Sequence, residues 1–290
     1  MTVSARAMRF SFSTGTLYPL PLETSLRLAR DLGYDGVELA IGPEALYRGE
    51  APLLRAIERV GVPVLSVHPP FATLPGWPRW PAQRLPRVAS LARALGAGVA
   101  ITHTLNFYDP DSPRNAHFNQ AIRLAHSAGE GRVDLTIENS QYLHRVQRGR
   151  KAYLDHTERL INYARARGCG LTYDTCHAGA SHEDVLETCD LMRPMLRNVH
   201  LNDMVWRGDR PHTHLAPGDG ELPLAALLER LAVSGYAGLV TVELHPREIG
   251  WWGPGSLRRA SATLARALAF MRGATGVGVD VSGYVADVAP

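Results

Sequence analysis

Short apolar runs alternate with longer amphipathic segments along this 290-residue chain. Seven of the runs end at or near a residue that can bind a metal ion or move a proton, at intervals of roughly 26 to 43 residues. The runs are VELA (Glu38), VLSVH (His68), VAITH (His103), DLTIE (Glu138), GLTYD (Asp174), RNVH (His200) and LVTVE (Glu243). A strand with its crossover helix and loops needs about 30 or more residues, so the spacing predicts successive parallel strand–helix units.

These runs, together with MRFSFST at 8–14, predict eight strands. They are nearly continuous apolar runs, as expected for strands buried on both faces of a parallel sheet. Apolar residues at helical spacing predict helices between them, several ended by a glycine. The predicted helices are 22–33, 51–60, 81–95, about 115–128, 152–167, 182–192, 222–234 and 255–272.

The alternation favours an α/β fold consisting of a single (β/α)8 TIM barrel. We expect this domain to cover residues 1–272, with a glycine-rich tail at 273–290. No glycine-rich GxGxxG turn follows the first strand, which argues against a dinucleotide-binding sheet. The loops after strands three, four, seven and eight are long and rich in Pro, Trp and Arg, and long loops on one face usually carry binding function.

Composition narrows the function classes. The chain is 45% hydrophobic and 20% charged, as in ordinary globular proteins. No apolar run approaches the ~18 residues of a membrane span, and the first residues lack an apolar signal segment. We read the three cysteines as reduced thiols and expect a cytoplasmic protein without membrane association. The net charge of +3 comes almost entirely from arginine. Arginine forks suit phosphate or nucleic acid, but no long basic run accompanies them, so composition favours arginine-biased codon usage.

The candidate chemistry centres on Glu138, Asp174, His200 and Glu243. In a closed barrel the carboxyl ends of the strands converge on one face, where such barrels do their chemistry. Three carboxylates and an imidazole gathered there would repel unless a cation neutralised them. Oxygen and nitrogen donors together suit a divalent metal, Mn²⁺ or Zn²⁺ first, with Co²⁺ or Mg²⁺ as alternatives. The competing interpretation is that one or two of them are buried groups paired with arginines.

Further histidines are candidates for additional metal or substrate binding. His68 and His103 close apolar strands, and His177 follows Asp174 by three residues. His212 and His214 form an H-x-H pair in the long segment after strand seven, which we expect to be a loop.

Several motifs carry a family resemblance. They are IEN at 137–139, DTCH at 174–177, HLND at 200–203, H-x-x-P-G-x-G at 214–220, GY-x-G at 235–238 and VEL at 242–244. With the opening strands they resemble the xylose-isomerase-like barrel superfamily over residues 8–272. That superfamily includes sugar phosphate isomerases and epimerases and apurinic endonucleases of the endonuclease IV type.

The resemblance implies metal ligands at Glu138, Asp174, His200 and Glu243. It also implies that the two glutamates are catalytic and exchange a proton on the substrate carbon. The metal would hold a carbonyl and a neighbouring hydroxyl, which acidifies the adjacent C–H bond. One glutamate would remove the proton, and either the same or the opposite one would return it. The implied activity is isomerisation or epimerisation of a small sugar or sugar phosphate; dehydratase chemistry would use much the same site.

The alternative is an endonuclease IV-like hydrolase with several zinc ions acting on abasic DNA. Its extra ligands resemble His68, His103, His177, His212 and His214. Three departures disfavour it and make nucleic acid the less expected partner. His212 stands where those enzymes have an aspartate, NSQYLHR replaces their small glycine-containing loop, and THTLNFYDP lacks their HPGS turn.

Loop residues suggest how a substrate would be held. Tryptophans can stack on sugar faces, although tryptophans in loops also serve ordinary packing or a homo-oligomer interface. Arginines of the same loops can hold a phosphate or carboxylate. The candidates are Trp77, Trp80, Trp206, Trp251 and Trp252 for stacking and Arg207, Arg210 and Arg247 for anion binding.

Overall fold

Eight parallel strands form a closed barrel in a computed structural model, which confirms the predicted single TIM barrel. The structure describes residues 8–18, 20–44, 49–71, 74–78, 81–104, 113–141, 153–250 and 255–276. The barrel strands are β1 (Arg9–Ser13), β2 (Gly36–Ala40), β3 (Val64–His68), β4 (Val99–His103), β5 (Asp134–Glu138), β6 (Gly170–Asp174), β7 (Leu196–Leu201) and β10 (Leu239–Val242). The last strand pairs with both β7 and β1 and so closes the ring.

Helices surround the barrel between successive strands. In the described ranges they are α1 (Leu22–Leu32), α2 (Glu50–Val60), α3 (Pro81–Leu95), α4 (Pro113–Gly129), α5 (Thr157–Arg165), α6 (Thr175–Ala180), α7 (Val185–Met192), α8 (Leu224–Val233) and α9 (Ser256–Thr275). Gly33 ends α1 with a φ of 81°, a left-handed conformation that glycine adopts without the strain a Cβ would add. Two-faced burial explains the apolar strands: all five residues of β2 and of β3 are buried.

A chain of polar side chains runs through the interior of the barrel toward the carboxyl ends of the strands. Ser11 and Thr241 share a hydrogen bond of 2.8 Å, and Thr241 donates to Asn198 at 2.9 Å. Asn198 in turn donates to Glu38 at 3.3 Å. Each of these groups is completely buried, so the chain of hydrogen bonds offsets the cost of removing them from water. The network leads directly to the predicted site.

One predicted loop is wrong. The segment after β7 forms a two-stranded antiparallel hairpin of β8 (Asp203–Arg207) and β9 (Arg210–Leu215). Its residues are only partly buried and do not form a long apolar run, so the pattern that predicts barrel strands did not predict these two. His212 and His214 therefore lie on a strand, and the short helix α6, also missed, packs against the same hairpin.

In the described part of the chain, no helix combines the length and apolarity that crossing a membrane requires. The final helix α9 continues to Thr275. Most of the predicted glycine-rich tail, residues 277–290, lies outside the described residues, and the proposed domain limits stay a prediction.

Candidate active site

Four side chains from four strand ends converge at one end of the barrel. Glu138 ends β5, Asp174 ends β6, His200 lies one residue before the end of β7, and Glu243 directly follows β10. One donor atom of each lies within 4.8 Å of the others. All four are buried, so their charges face one another across a low-dielectric space rather than water.

A buried carboxylate orients the imidazole of His200. Its Nε2 lies 3.1 Å from Glu38 Oε2, and because a carboxylate only accepts, Nε2 carries the proton. Ser66 donates to the same oxygen at 2.8 Å, which holds the carboxylate in place. The second ring nitrogen, Nδ1, is thereby turned toward the centre of the cluster.

Three carboxylates face that nitrogen. Nδ1 of His200 lies 2.8 Å from Glu243 Oε2, 3.6 Å from Glu138 Oε1 and 4.0 Å from Asp174 Oδ2. Burial disfavours a charged imidazole, but the carboxylates of Glu38, Glu243 and Glu138 outweigh it and raise the pKa of His200 well above its usual range. The neighbouring carboxylates therefore favour a positive charge at the position of the His200 ring.

Among the described residues, two buried atoms of the cluster make no hydrogen bond of good geometry: His200 Nδ1, although Glu243 Oε2 lies 2.8 Å away, and Glu138 Oε2, although His103 Nε2 lies 3.3 Å away. Buried polar atoms without partners are rare and call for an explanation. A divalent cation accepts electron pairs from an imidazole nitrogen and carboxylate oxygens. The donor set and its unsatisfied atoms therefore fit a metal ion.

Asp174 is held rigidly by its neighbours. One oxygen accepts from the backbone N–H of His177 at 2.8 Å and caps helix α6, and the other accepts from Asn202 Nδ2 at 3.0 Å. Asn139 donates to the Asp174 carbonyl at 3.0 Å and accepts from its backbone N–H at 2.7 Å. These contacts fix the carboxylate relative to β5 and β7.

A second group of donors comprises His68, His103 and Glu138, again within 4.8 Å of one another. His68 Nδ1 lies 2.6 Å from the Pro69 carbonyl and so carries the proton. Burial and the neighbouring His103 lower the pKa of His68 to about 3, so its ring is neutral and Nε2 is an acceptor. That nitrogen lies 3.1 Å from His103 Nε2 and 3.8 Å from Glu138 Oε2.

A third group comprises Asp174, Cys176, His177 and His214. His177 Nδ1 donates to the Asn139 carbonyl at 2.9 Å, which leaves Nε2 as the free nitrogen of the ring. His214 has a φ of 60°, an uncommon conformation for a residue other than glycine that recurs at functional sites. Burial and then Asp174 raise the pKa of the Cys176 thiol well above its usual range, so the sulfur is a neutral thiol.

The remaining predicted site residues lie apart from the four-residue cluster. His212 Nε2 pairs with Glu248 Oε1 at 3.0 Å. Arg207 and Arg210 face each other at the exposed tip of the β8–β9 hairpin. Arg247 is exposed, and its Nε approaches His245 Nδ1 at 3.3 Å.

A cavity of about 370 Å³ opens beside the cluster, with Glu243 and His214 in its wall. The rest of its lining is mostly apolar and includes Tyr18 and Phe71, which the sequence analysis did not single out. Of the predicted stacking residues, Trp77 is buried in the core and Trp206 stacks on His182 at 4.4 Å. Trp80, Trp251 and Trp252 lie outside the described residues.

Sequence reasoning assigned no role to the groups that orient the cluster. Glu38 entered only as the polar residue near the end of its strand, and Asn139 and Asn202 only as letters of motifs. A signal existed for each of them. Glu38 is an acid within an otherwise apolar strand, and the two asparagines directly follow or nearly follow the candidate ligands Glu138 and His200.

Comparison with known proteins places this geometry in context. The family model described as xylose isomerase-like TIM barrel matches residues 26–273. An uncharacterized protein of Mycobacterium bovis is 28% identical over 289 residues, covering 92% of this chain and 97% of the relative. Fructoselysine 3-epimerase of Escherichia coli O157:H7 is 25% identical over 243 residues, covering 78% and 86%.

Among solved structures, D-psicose 3-epimerase from Clostridium cellulolyticum H10 superposes with a TM-score of 0.68. Its identity to this chain is 15%, and the match covers 92% of this chain and 99% of that structure. At this identity the likeness concerns the fold.

Proposed function

Because the chain belongs to the xylose isomerase-like TIM barrel family, we propose that it is a divalent-metal-dependent sugar isomerase or epimerase. The observation that carries the proposal is the convergence of three carboxylates, those of Glu138, Asp174 and Glu243, on Nδ1 of His200. The names of the similar proteins agree with it, since one relative is a fructoselysine 3-epimerase and one structural neighbour a D-psicose 3-epimerase.

In this proposal the four converging residues hold the cation. When bound, a divalent ion draws electrons from a carbonyl and a neighbouring hydroxyl oxygen and acidifies the C–H bond beside the carbonyl. Mn²⁺ and Zn²⁺ suit the mixed nitrogen and oxygen donors, with Co²⁺ or Mg²⁺ as alternatives. Asp174 contributes a fixed oxygen because Asn202 and the His177 backbone hold its carboxylate.

The two glutamates move the proton. Glu243 lies in the cavity wall, so it can reach a substrate carbon from the open side. Glu138 lies deeper, with an exposed fraction of only 1%, and can approach the same carbon from within the barrel. Removal by one carboxylate and return by the other inverts a carbon centre, whereas return to the neighbouring carbon converts an aldose and a ketose.

The histidines around the cluster bind and orient the substrate. His177 has Nε2 free because Nδ1 donates to the Asn139 carbonyl, so it can accept from a substrate hydroxyl. His214 lines the cavity, where its ring can contact the bound substrate. A cytoplasmic location and assembly into a homo-oligomer stay predictions from the sequence.

The direct test is hydrogen exchange with solvent. The metal-loaded protein is incubated in D₂O with a panel of ketoses and keto-sugars, and deuterium at carbon is measured by NMR. We expect incorporation beside the carbonyl of at least one sugar and loss of that incorporation after treatment with a chelator. The absence of incorporation from the entire panel would count against proton transfer at carbon.

The groups His68–His103–Glu138 and Asp174–Cys176–His177–His214 support a second candidate, an endonuclease IV-like phosphodiester hydrolase that acts on abasic DNA. Several cations in such an arrangement can activate water and stabilise a leaving oxygen. Elemental analysis of the purified protein distinguishes the two candidates. One metal ion per chain favours the isomerase, whereas two or more, together with cleavage of an abasic duplex, favour the hydrolase.

A further inference from the structure

We infer that the substrate of this site carries an uncharged, apolar substituent on the end remote from the reacting carbon, and that a sugar phosphate is not the preferred substrate. The inference rests on the proposed sugar isomerase or epimerase function and narrows its substrate class. It follows from the wall of the cavity that adjoins Glu243.

The cavity has a polar end and an apolar end. Glu243, His214 and His245 are its ionisable lining residues, and the backbone N–H of His245 donates to the His214 carbonyl at 3.2 Å, so these residues lie on one side. Most of the remaining lining is apolar and includes Tyr18, Ile41, Phe71 and Leu74. Its volume of about 370 Å³ falls within the roughly 300–1,000 Å³ typical of small-molecule sites. A molecule whose carbonyl reaches the cluster therefore places its far end against carbon atoms.

Phe71 is the apolar residue of this wall that lies next to the histidines of the site. Its ring stacks on His68 with centroids 4.5 Å apart, yet 57% of the residue is exposed. A Cβ on Gly15 would lie 2.5 Å from Phe71 Cε2, so the glycine provides the space that the ring occupies. Tyr18, which is 42% exposed, belongs to the same wall. Covering this surface with an apolar group removes apolar area from water and is therefore favourable.

The described lining offers little to a phosphate at the remote end. It contains the histidines His214 and His245 but no lysine or arginine. Apolar side chains cannot replace the hydrogen bonds that a phosphate dianion makes with water, so burying it against them is costly. Arg247, predicted as an anion-binding residue, directs its Nε toward His245 and is absent from the lining. Both the charge pattern and the apolar wall thus select the same kind of substituent.

Three probes that differ only at one end test the inference: D-fructose, 6-deoxy-D-fructose and D-fructose 6-phosphate. Their dissociation constants are measured by isothermal titration calorimetry on the full-length Mn²⁺-loaded protein, and deuterium exchange is measured in parallel. We expect the 6-deoxy sugar to bind at least about fivefold more tightly than fructose, and the phosphate to bind more weakly than fructose.

Two variants locate the effect. Phe71→Ala should reduce the ratio of 6-deoxy to fructose affinity toward unity. Val233→Ala, which truncates an 85% exposed residue at the end of α8, should leave the ratio unchanged. Tighter binding of the phosphate, equal binding of the three probes, binding of none, or an unchanged ratio in Phe71→Ala would each overturn the inference. Exchange of deuterium into a phosphorylated probe alone would overturn it while sustaining the proposed function. Binding in the expected order without exchange into any sugar would sustain the substrate preference and count against the proposed function.

Discussion

Glu38 and His200 are 162 positions apart in sequence and meet through a hydrogen bond of 3.1 Å inside the barrel. Neither residue has any exposed surface. The contact places the ring proton on Nε2 and leaves Nδ1 facing Glu243, Glu138 and Asp174. A carboxylate behind a histidine ligand is a common way to fix its tautomer and strengthen its electron donation.

Substitution Glu38→Gln should weaken metal binding by about 10- to 100-fold, because outer partners of histidine ligands typically contribute that much. Titration of the metal-free protein with Mn²⁺ or Zn²⁺, followed calorimetrically, measures the change. Asp134→Asn is the matched control because it also changes a carboxylate to an amide, but on the surface. Asp134 begins β5 and pairs with Arg197. Equal affinity in the wild type and Glu38→Gln would show that His200 needs no such support.

Metal ions should stabilise the folded protein. A ligand that binds only the folded state at 100 times its dissociation constant adds about 2.7 kcal/mol. We therefore expect Mn²⁺ or Zn²⁺ to raise the melting temperature by several degrees in differential scanning fluorimetry and a chelator to reverse the rise. His200→Ala should abolish the shift. If the His200→Ala variant shifts as much as the wild type, the ion binds elsewhere.

Substitution Glu243→Gln should lower kcat for hydrogen exchange by about 10²- to 10⁴-fold, the usual contribution of a general acid or base. The amide keeps the size of the side chain but cannot accept the proton. Metal content is measured alongside, because Glu243 is also a proposed ligand. Glu248→Gln is the control: Glu248 lies five residues further and pairs with His212. Full activity of Glu243→Gln with metal bound would assign the proton transfer to another group.

Substitution Gly220→Ala should destabilise the protein by about 1–3 kcal/mol, the usual cost of overpacking. An added Cβ would lie 2.2 Å from Asp203 Oδ1 and 2.5 Å from the Met204 carbonyl oxygen. Asp203 is buried and accepts from the backbone N–H groups of Met204, Gly218 and Leu222. Chemical denaturation measures the loss.

The matched control is Gly98→Ala, where an added Cβ meets nothing within 4 Å. If Gly220→Ala and Gly98→Ala have equal free energies of unfolding, the segment around Gly220 accommodates the added Cβ without loss of stability. The comparison therefore tests whether Asp203 holds the segment that follows His214 in one conformation.

The barrel and its strand ends were predictable because local patterns in the sequence encode them. Buried parallel strands need continuous apolar runs, and helix ends favour glycine. The predicted helix at 81–95 matches α3 without a shift, and the others differ by a few residues at their ends. Helix α6 and the β8–β9 hairpin were missed, because α6 is only six residues long and the hairpin strands are partly exposed.

The sequence by itself determined the fold class and placed Glu138, Asp174, His200 and Glu243 at strand ends, since a repeating strand–helix pattern carries both pieces of information. Only the tertiary structure decided which nitrogen of His200 faces the cluster, because that depends on Glu38 from a distant strand. It also decided that Phe71 and Tyr18 line the cavity, to which the described part of the chain contributes no tryptophan or arginine. Hydrogen-bond partners and cavity walls come from segments far apart in the chain, and no local pattern records how those segments meet.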